Sequence, residues 1–287
     1  MSSADLPLAT PAGPDESAPA ESALGGPAPA RPAPARPTPS SLRDKALAAL
    51  IHFSLSLVAT VSLAAAMWFA LYPPPYFWID GGISVLKILV VVDLILGPAL
   101  TFVVYNRAKR EWKRDLAIIA MVQIIAFAYG ANTMARYRPV FAVYIDRSFF
   151  AVTWPKVEMA TPNLDKPRAL HNADWGPTLV VMDLPADAHQ RLDLLRRVNP
   201  DGTNALPGMG ERYLAFSGPV QQKILDDSAD VETLARGNAD IARELARVKA
   251  AHPGPLSNYS FQPLVGRDAE CMLMIEKASG KPVDCMR

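Results

Sequence analysis

Residues suited to catalysis or metal binding are scarce in this chain. Among its 287 residues there are two cysteines and four histidines. His171, His189 and His252 are scattered, and Cys271 and Cys285 lack the close Cys or His neighbours of a zinc site. No glycine-rich loop follows a strand at the spacing that cradles phosphate groups. His171 and Asp174 could form half of an acid/base pair, but beside Asn172 and Trp175 they read as a solvated turn. These absences leave an expectation of no enzyme, no metal and no cofactor. Net charge is nearly absent too, +1 from 29 basic and 28 acidic side chains, so the whole-chain balance selects no class of partner.

Large apolar side chains are almost missing from residues 1–41, which are rich in Pro, Ala and Ser. Such a segment cannot bury enough surface to offset its ordering entropy and is expected to be a disordered tail. Its Pro-Ala-Arg-Pro repeats are similar to proline-rich ligand motifs, although this composition more commonly marks a linker.

What the chain does contain is long apolar runs. Half of all residues are hydrophobic, and they are concentrated in the first half. Residues 46–72 follow Arg43 and Lys45, hold His52 as their only ionisable side chain, and are long enough to span a bilayer. Ala64 and Ala66 imitate a signal-peptide cleavage site, but the preceding tail is far too long, so an uncleaved anchor is expected. His52 lies near the basic end, where an imidazole can reach the interface.

Residues 83–105 form the second span and carry Asp93 near the middle. A charge at the bilayer centre costs roughly 3 kcal/mol on insertion scales, so this side chain should face other helices or water, or be protonated. Gly97 lies one turn on along the same face. Pro98 has no N–H and crowds the carbonyl of Leu94, which predicts a kink where close packing is possible. Residues 116–133 form a third, uncharged span, with Gln123 at a depth that overlaps Asp93 and could allow a hydrogen bond. Asp93, Gly97, Pro98, Thr101 and Gln123 are therefore the candidates for helix packing or partner contact, with purely structural packing as the plain alternative.

The connections fix an orientation. Residues 106–115 carry Arg107, Lys109, Arg110, Lys113 and Arg114, whereas residues 73–82 carry only Asp80. The basic loop and the N-terminal tail should be cytoplasmic, and topogenic charge beside membrane helices accounts for the loop without nucleic-acid binding. The proline run Pro73-Pro74-Pro75 predicts a stiff extended segment, with Tyr76, Phe77 and Trp78 at headgroup level.

Residues 134–287 then lie on the periplasmic side as an α+β domain. Short β-type runs occupy 139–146, 148–154 and 177–185, and helical spacing appears at 186–197 and at 230–251 through Val231, Leu234, Ile241, Leu245 and Val248. Residues 199–210 read as a loop. The chain closes with a hairpin, 271–277 and 281–287, turning at Ala278-Ser279-Gly280. Because the only two cysteines flank that hairpin in an oxidising compartment, a disulfide between Cys271 and Cys285 is predicted. Two unpaired thiols are the alternative, since bridging calls for opposed positions and the register is uncertain by one residue.

Tyr72 to Phe77 with Gly81-Gly82, Val92-Asp93-Leu94, Leu96-Gly97-Pro98, Asp115-Leu116-Ala117, Gln123, Tyr129-Gly130, Arg138-Pro139-Val140 and Asp146-Arg147 form an ordered series. In this series the chain resembles the type IV pilin accessory protein family, the TfpX/TfpZ group, over residues 46–153 and the closing hairpin. Two departures stand out: Ser148 follows Asp146-Arg147 where the family commonly has Phe, and the proline-rich tail is an addition. The resemblance implies a non-enzymatic inner-membrane protein that assists assembly or stability of a type IV pilin, with that pilin and the lipid bilayer as partners. Two other classes remain as alternatives. One is a proton-coupled transport component in which Asp93 titrates, although no internal repeat or paired broken helix is visible. The other is a membrane-tethered periplasmic sensor or binding module, although its cytoplasmic side offers no output domain.

Overall fold

The computed structural model describes residues 40–171, 176–198 and 205–287. The tail 1–39, Asp174 with its neighbours Asn172 and Trp175, and the first part of the 199–210 loop lie outside the described residues.

Three helices are long and apolar enough to cross a membrane: Leu42–Leu71, Gly82–Val104 and Trp112–Arg136. The first starts at Ser41, whose hydroxyl accepts the Asp44 N–H while the Asp44 carboxylate accepts the Ser41 N–H. This reciprocal cap satisfies two donors that an uncapped helix end would leave open, so the helix begins ahead of the apolar run. In the second helix the residues from Val90 to Leu96 adopt π register, with the Gly97 N–H bonded to the Val92 carbonyl. That widened turn stands immediately before Pro98 and is how the helix absorbs a residue with no N–H to give. The second helix packs against both others, whereas the first and third meet chiefly where the first ends, at Met67–Leu71.

The soluble part is built on one mixed seven-stranded sheet in the order β4-β3-β1-β2-β5-β6-β7. Its strands are β1 Pro139–Ile145, β2 Ser148–Thr153, β3 Thr178–Met182, β4 Tyr213–Ala215, β5 Tyr259–Val265, β6 Glu270–Glu276 and β7 Pro282–Met286. β1 and β2 form a hairpin whose two loop residues, Asp146 and Arg147, both have positive φ (42° and 68°), the backbone that a tight two-residue turn requires. β1 pairs in parallel with β3, and β2 with β5. Helices cover the sheet, so the domain is α+β.

Alternate residues of β1 feed different faces: Phe141, Val143 and Ile145 join a core with Val157, Val180 and Tyr213, while Ala142 faces one that contains Phe149, Leu264, Leu273 and Leu225.

Two expectations are corrected here. The helical stretch 230–251 is two helices, Val231–Gly237 and Ala239–Ala251, because Asn238 turns extended and its side chain caps the second by accepting the Asp240 and Ile241 N–H groups. The proline connection is not an extended strap. After a cis Pro74–Pro75 bond it folds into a short helix, Tyr76–Ile79, and buries Tyr76 and Ile79 in the same core as Phe149, Leu264 and Leu273. Apolar side chains next to prolines gain more from an available core than from headgroup level. Of the three rings only Trp78 stays about one-third exposed, at 36%.

Candidate functional site

The second membrane helix aligns Asp93, Gly97, Pro98 and Thr101 on its buried side. Their spacing of three to four residues puts them on one face. Gly97 is where the Gln123 side chain of the third helix lies over the second: a Cβ built there would fall 1.8 Å from its amide nitrogen. The absent side chain thus makes room for the Gln123 amide between the two helices.

Thr101 meets the first helix, its hydroxyl 2.6 Å from His52 Nδ1. His52 was expected at the interface; instead it turns inward, since Thr101 offers it a hydrogen bond inside the bundle. Both carboxylate oxygens of Asp93 and both amide atoms of Gln123 are buried with no hydrogen-bond partner. The bond between them suggested by their depths is therefore not formed.

These side chains floor a groove of about 570 Å³ between the first and third helices. Its walls are apolar, with Leu47, Ile51 and Leu55 on one side and Ile124 and Phe127 on the other.

A second junction ties the membrane helices to the sheet. The Ile79 carbonyl accepts the N–H groups of Asp268 and Ala269 at 2.8 and 3.2 Å, and Asp80 Oδ1 accepts the Arg267 N–H at 3.0 Å. Ser84 donates to Asp268 Oδ2 at 2.8 Å. Gly266 lies so close to this connection that a Cβ there would fall 2.4 Å from the Ile79 carbonyl oxygen. Arg287, the last residue, places its guanidinium 4.7 Å from the centre of the Trp78 ring.

Burial raises the Asp80 carboxyl above the usual carboxylate range, with Arg267 pulling the other way. It also pushes the Tyr72 phenol up to about 12, aided by nearby Asp80. Lys156, across a cavity of about 300 Å³ from Asp80, is lowered by burial. None of these junction residues was singled out from the sequence. The visible signal was Asp80 as the sole charge in its connection.

Cys271 and Cys285 form a disulfide with Cα atoms 6.0 Å apart. They are not directly opposed, because Cys285 faces Leu273 in the β6–β7 ladder. Cys271 is two residues further along the same face, so the bond runs diagonally, at a Cα separation within the usual range. Arg107, Lys109, Arg110, Lys113 and Arg114 are all exposed, in the loop and first helical turn that link the second and third membrane helices. Among the described residues no cluster of three or more His, Cys, Asp or Glu is placed to hold a metal ion.

Similar proteins include three fimbrial assembly proteins of Dichelobacter nodosus. The one from serogroup E1 is 38% identical over 96 residues, which is 33% of this chain and 37% of that protein. The one from serogroup I is 38% identical over 100 residues, 34% of this chain and 39% of that protein. The one from serogroups C1 and C2 is 38% identical over 96 residues, 33% of this chain but 73% of that protein. The match therefore spans under two fifths of the first two and nearly three quarters of the third. No family model matches the chain, and no solved structure does.

Proposed function

The chain belongs to the family of fimbrial assembly proteins, and on that premise we propose that it is a non-enzymatic accessory protein, of the type IV pilin accessory group, that supports assembly of a pilus by chaperoning its pilin. It sits in the inner membrane of a bacterium with its N-terminus in the cytoplasm and its sheet domain in the periplasm. The exposed basic loop after the second helix supports this orientation, set against a first connection whose only charge, Asp80, is buried.

One observation carries the reading. A single chain couples an open, partly polar face at bilayer depth to a soluble domain, through a connection that continues into the second helix and is hydrogen-bonded to the sheet. A pilin awaiting assembly is one apolar helix with a soluble head, so a factor that holds it needs packing surface in both phases.

Extraction in mild detergent, followed by purification of the tagged protein from piliated cells and a search for pilin in the eluate, tests this. Recovery of that pilin in near-equal amount is expected. No pilin, together with proton flux in vesicles that Asp93→Asn abolishes, would replace this reading with transport.

A further inference from the structure

The unpaired groups of the membrane bundle converge on one place. Asp93 is only 5% exposed, and it stands at the centre of the 23-residue span Gly82–Val104. Both its oxygens lack partners, as do both amide atoms of Gln123 from the third helix, and the two side chains line the same groove. Polar groups left unpaired away from water are unfavourable, and lipid chains offer them nothing. The walls, by contrast, suit an apolar rod. The first and third helices meet at Met67–Leu71 and make little contact further along, which leaves the groove open between them above the buried face of the second.

Resting on the membrane assembly reading, we infer that this groove is the docking site of one transmembrane helix of the partner. That helix is recognised by a side chain in mid-span that both donates and accepts hydrogen bonds, an amide or an undissociated carboxyl. Asp93 offers acceptors and Gln123 both a donor and an acceptor, so a group with only one capacity would leave part of the floor unpaired. An all-apolar helix would fill the walls and satisfy none of it. Specificity then comes from the floor and bulk affinity from the walls.

The full chain in phosphatidylethanolamine/phosphatidylglycerol vesicles provides the test. Energy transfer reports its association with labelled leucine-host transmembrane peptides that carry one central Gln or one central Leu. The Gln peptide should bind about three- to tenfold more tightly. That preference should vanish in the double variant Asp93→Val, Gln123→Leu. Ala120→Phe, which fills the groove and spares the polar pair, should abolish binding of both peptides. Val91→Phe, on the exposed side of the second helix at a residue 49% exposed, should change neither. Unchanged helical circular dichroism and an unchanged thermal unfolding midpoint in detergent report that each variant is folded.

Equal binding of both peptides to the unaltered chain would overturn the inference, as would binding that survives Ala120→Phe. Transfer between two labelled copies of this chain that Ala120→Phe eliminates would also overturn it, by making a second copy the occupant. Peptide selectivity without any effect of gene deletion on piliation would reject the assembly role and keep the groove. The reverse result would reject the groove alone.

Discussion

Asp80 is a carboxylate folded away from water with one oxygen engaged by the Arg267 N–H and the other, Oδ2, buried without a partner. Burial holds its folded form above the ordinary value of 3.8, Arg267 opposing and Asp268 adding to the rise. As pH climbs past that ordinary value, the unfolded chain therefore gives up the proton first. The folded state loses stability until the raised value is passed. Asp80→Asn keeps the acceptor for Arg267 and removes the titration. Its melting temperature relative to the unaltered protein should rise across that window and stay level above it, as followed by near-ultraviolet circular dichroism. Parallel pH profiles would contradict this.

Gly97 makes the complementary case in the membrane. Leu there drives a side chain into the space the Gln123 amide fills and should displace that amide and disturb the packing of the second and third helices, whereas Asp93→Asn keeps shape. Counts of surface pili should fall further with Gly97→Leu than with Asp93→Asn at equal protein levels. The acid and the glycine were legible because a charge in an apolar run is anomalous by itself. The inward turn of His52 was not, because it depends on Thr101, 49 residues away.

At the scale of elements, the terminal hairpin is fastened by more than its strand ladder. Besides the disulfide, Arg247 of the Ala239–Ala251 helix bridges to the β7 residue Asp284 with two hydrogen bonds, at 3.0 and 3.1 Å, and His252 approaches the same carboxylate at 3.0 Å. Burial would raise the Asp284 carboxyl, but bonds from Arg247, the Cys285 N–H and His252 outweigh it and hold the group low. Closing a loop of 14 residues' separation stabilises by about 3 kcal/mol on the chain-entropy model. Cys271→Ser with Cys285→Ser should lower unfolding free energy by about that amount in a urea titration, and an unshifted midpoint would contradict it. Intact mass should rise by two hydrogens on reduction of the unaltered protein.

The membrane helices and this hairpin could be read from hydropathy and turn chemistry, which are local. β4 has three residues and β5 carries Pro263 in mid-strand, so neither announces itself. The proline connection misleads for a different reason. Its composition describes an isolated segment, while its folded form is set by the β5–β6 turn, and Asp80 lies 187 residues from Arg267.

For the whole molecule, orientation follows from charge. A reporter active only in the periplasm should be active when fused after Arg287, and one active only in the cytoplasm should be active in the Arg107 to Arg114 loop. The reverse pattern would invert the account. The order of three spans and an α+β domain was legible because each span exceeds the length a soluble core helix needs. How the domain clasps the first connection was not, since that contact joins residues as far apart in sequence as Asp80 and Arg267.

The central claim is that this chain is needed to build pili from pilin already made. Its most direct test is deletion of the gene, with surface pili counted by electron microscopy and total pilin measured by immunoblot in the same cells, before and after the gene is restored. The account predicts a marked loss of surface pili with pilin synthesis maintained and recovery on restoration. Unchanged piliation in the deletion strain would contradict it.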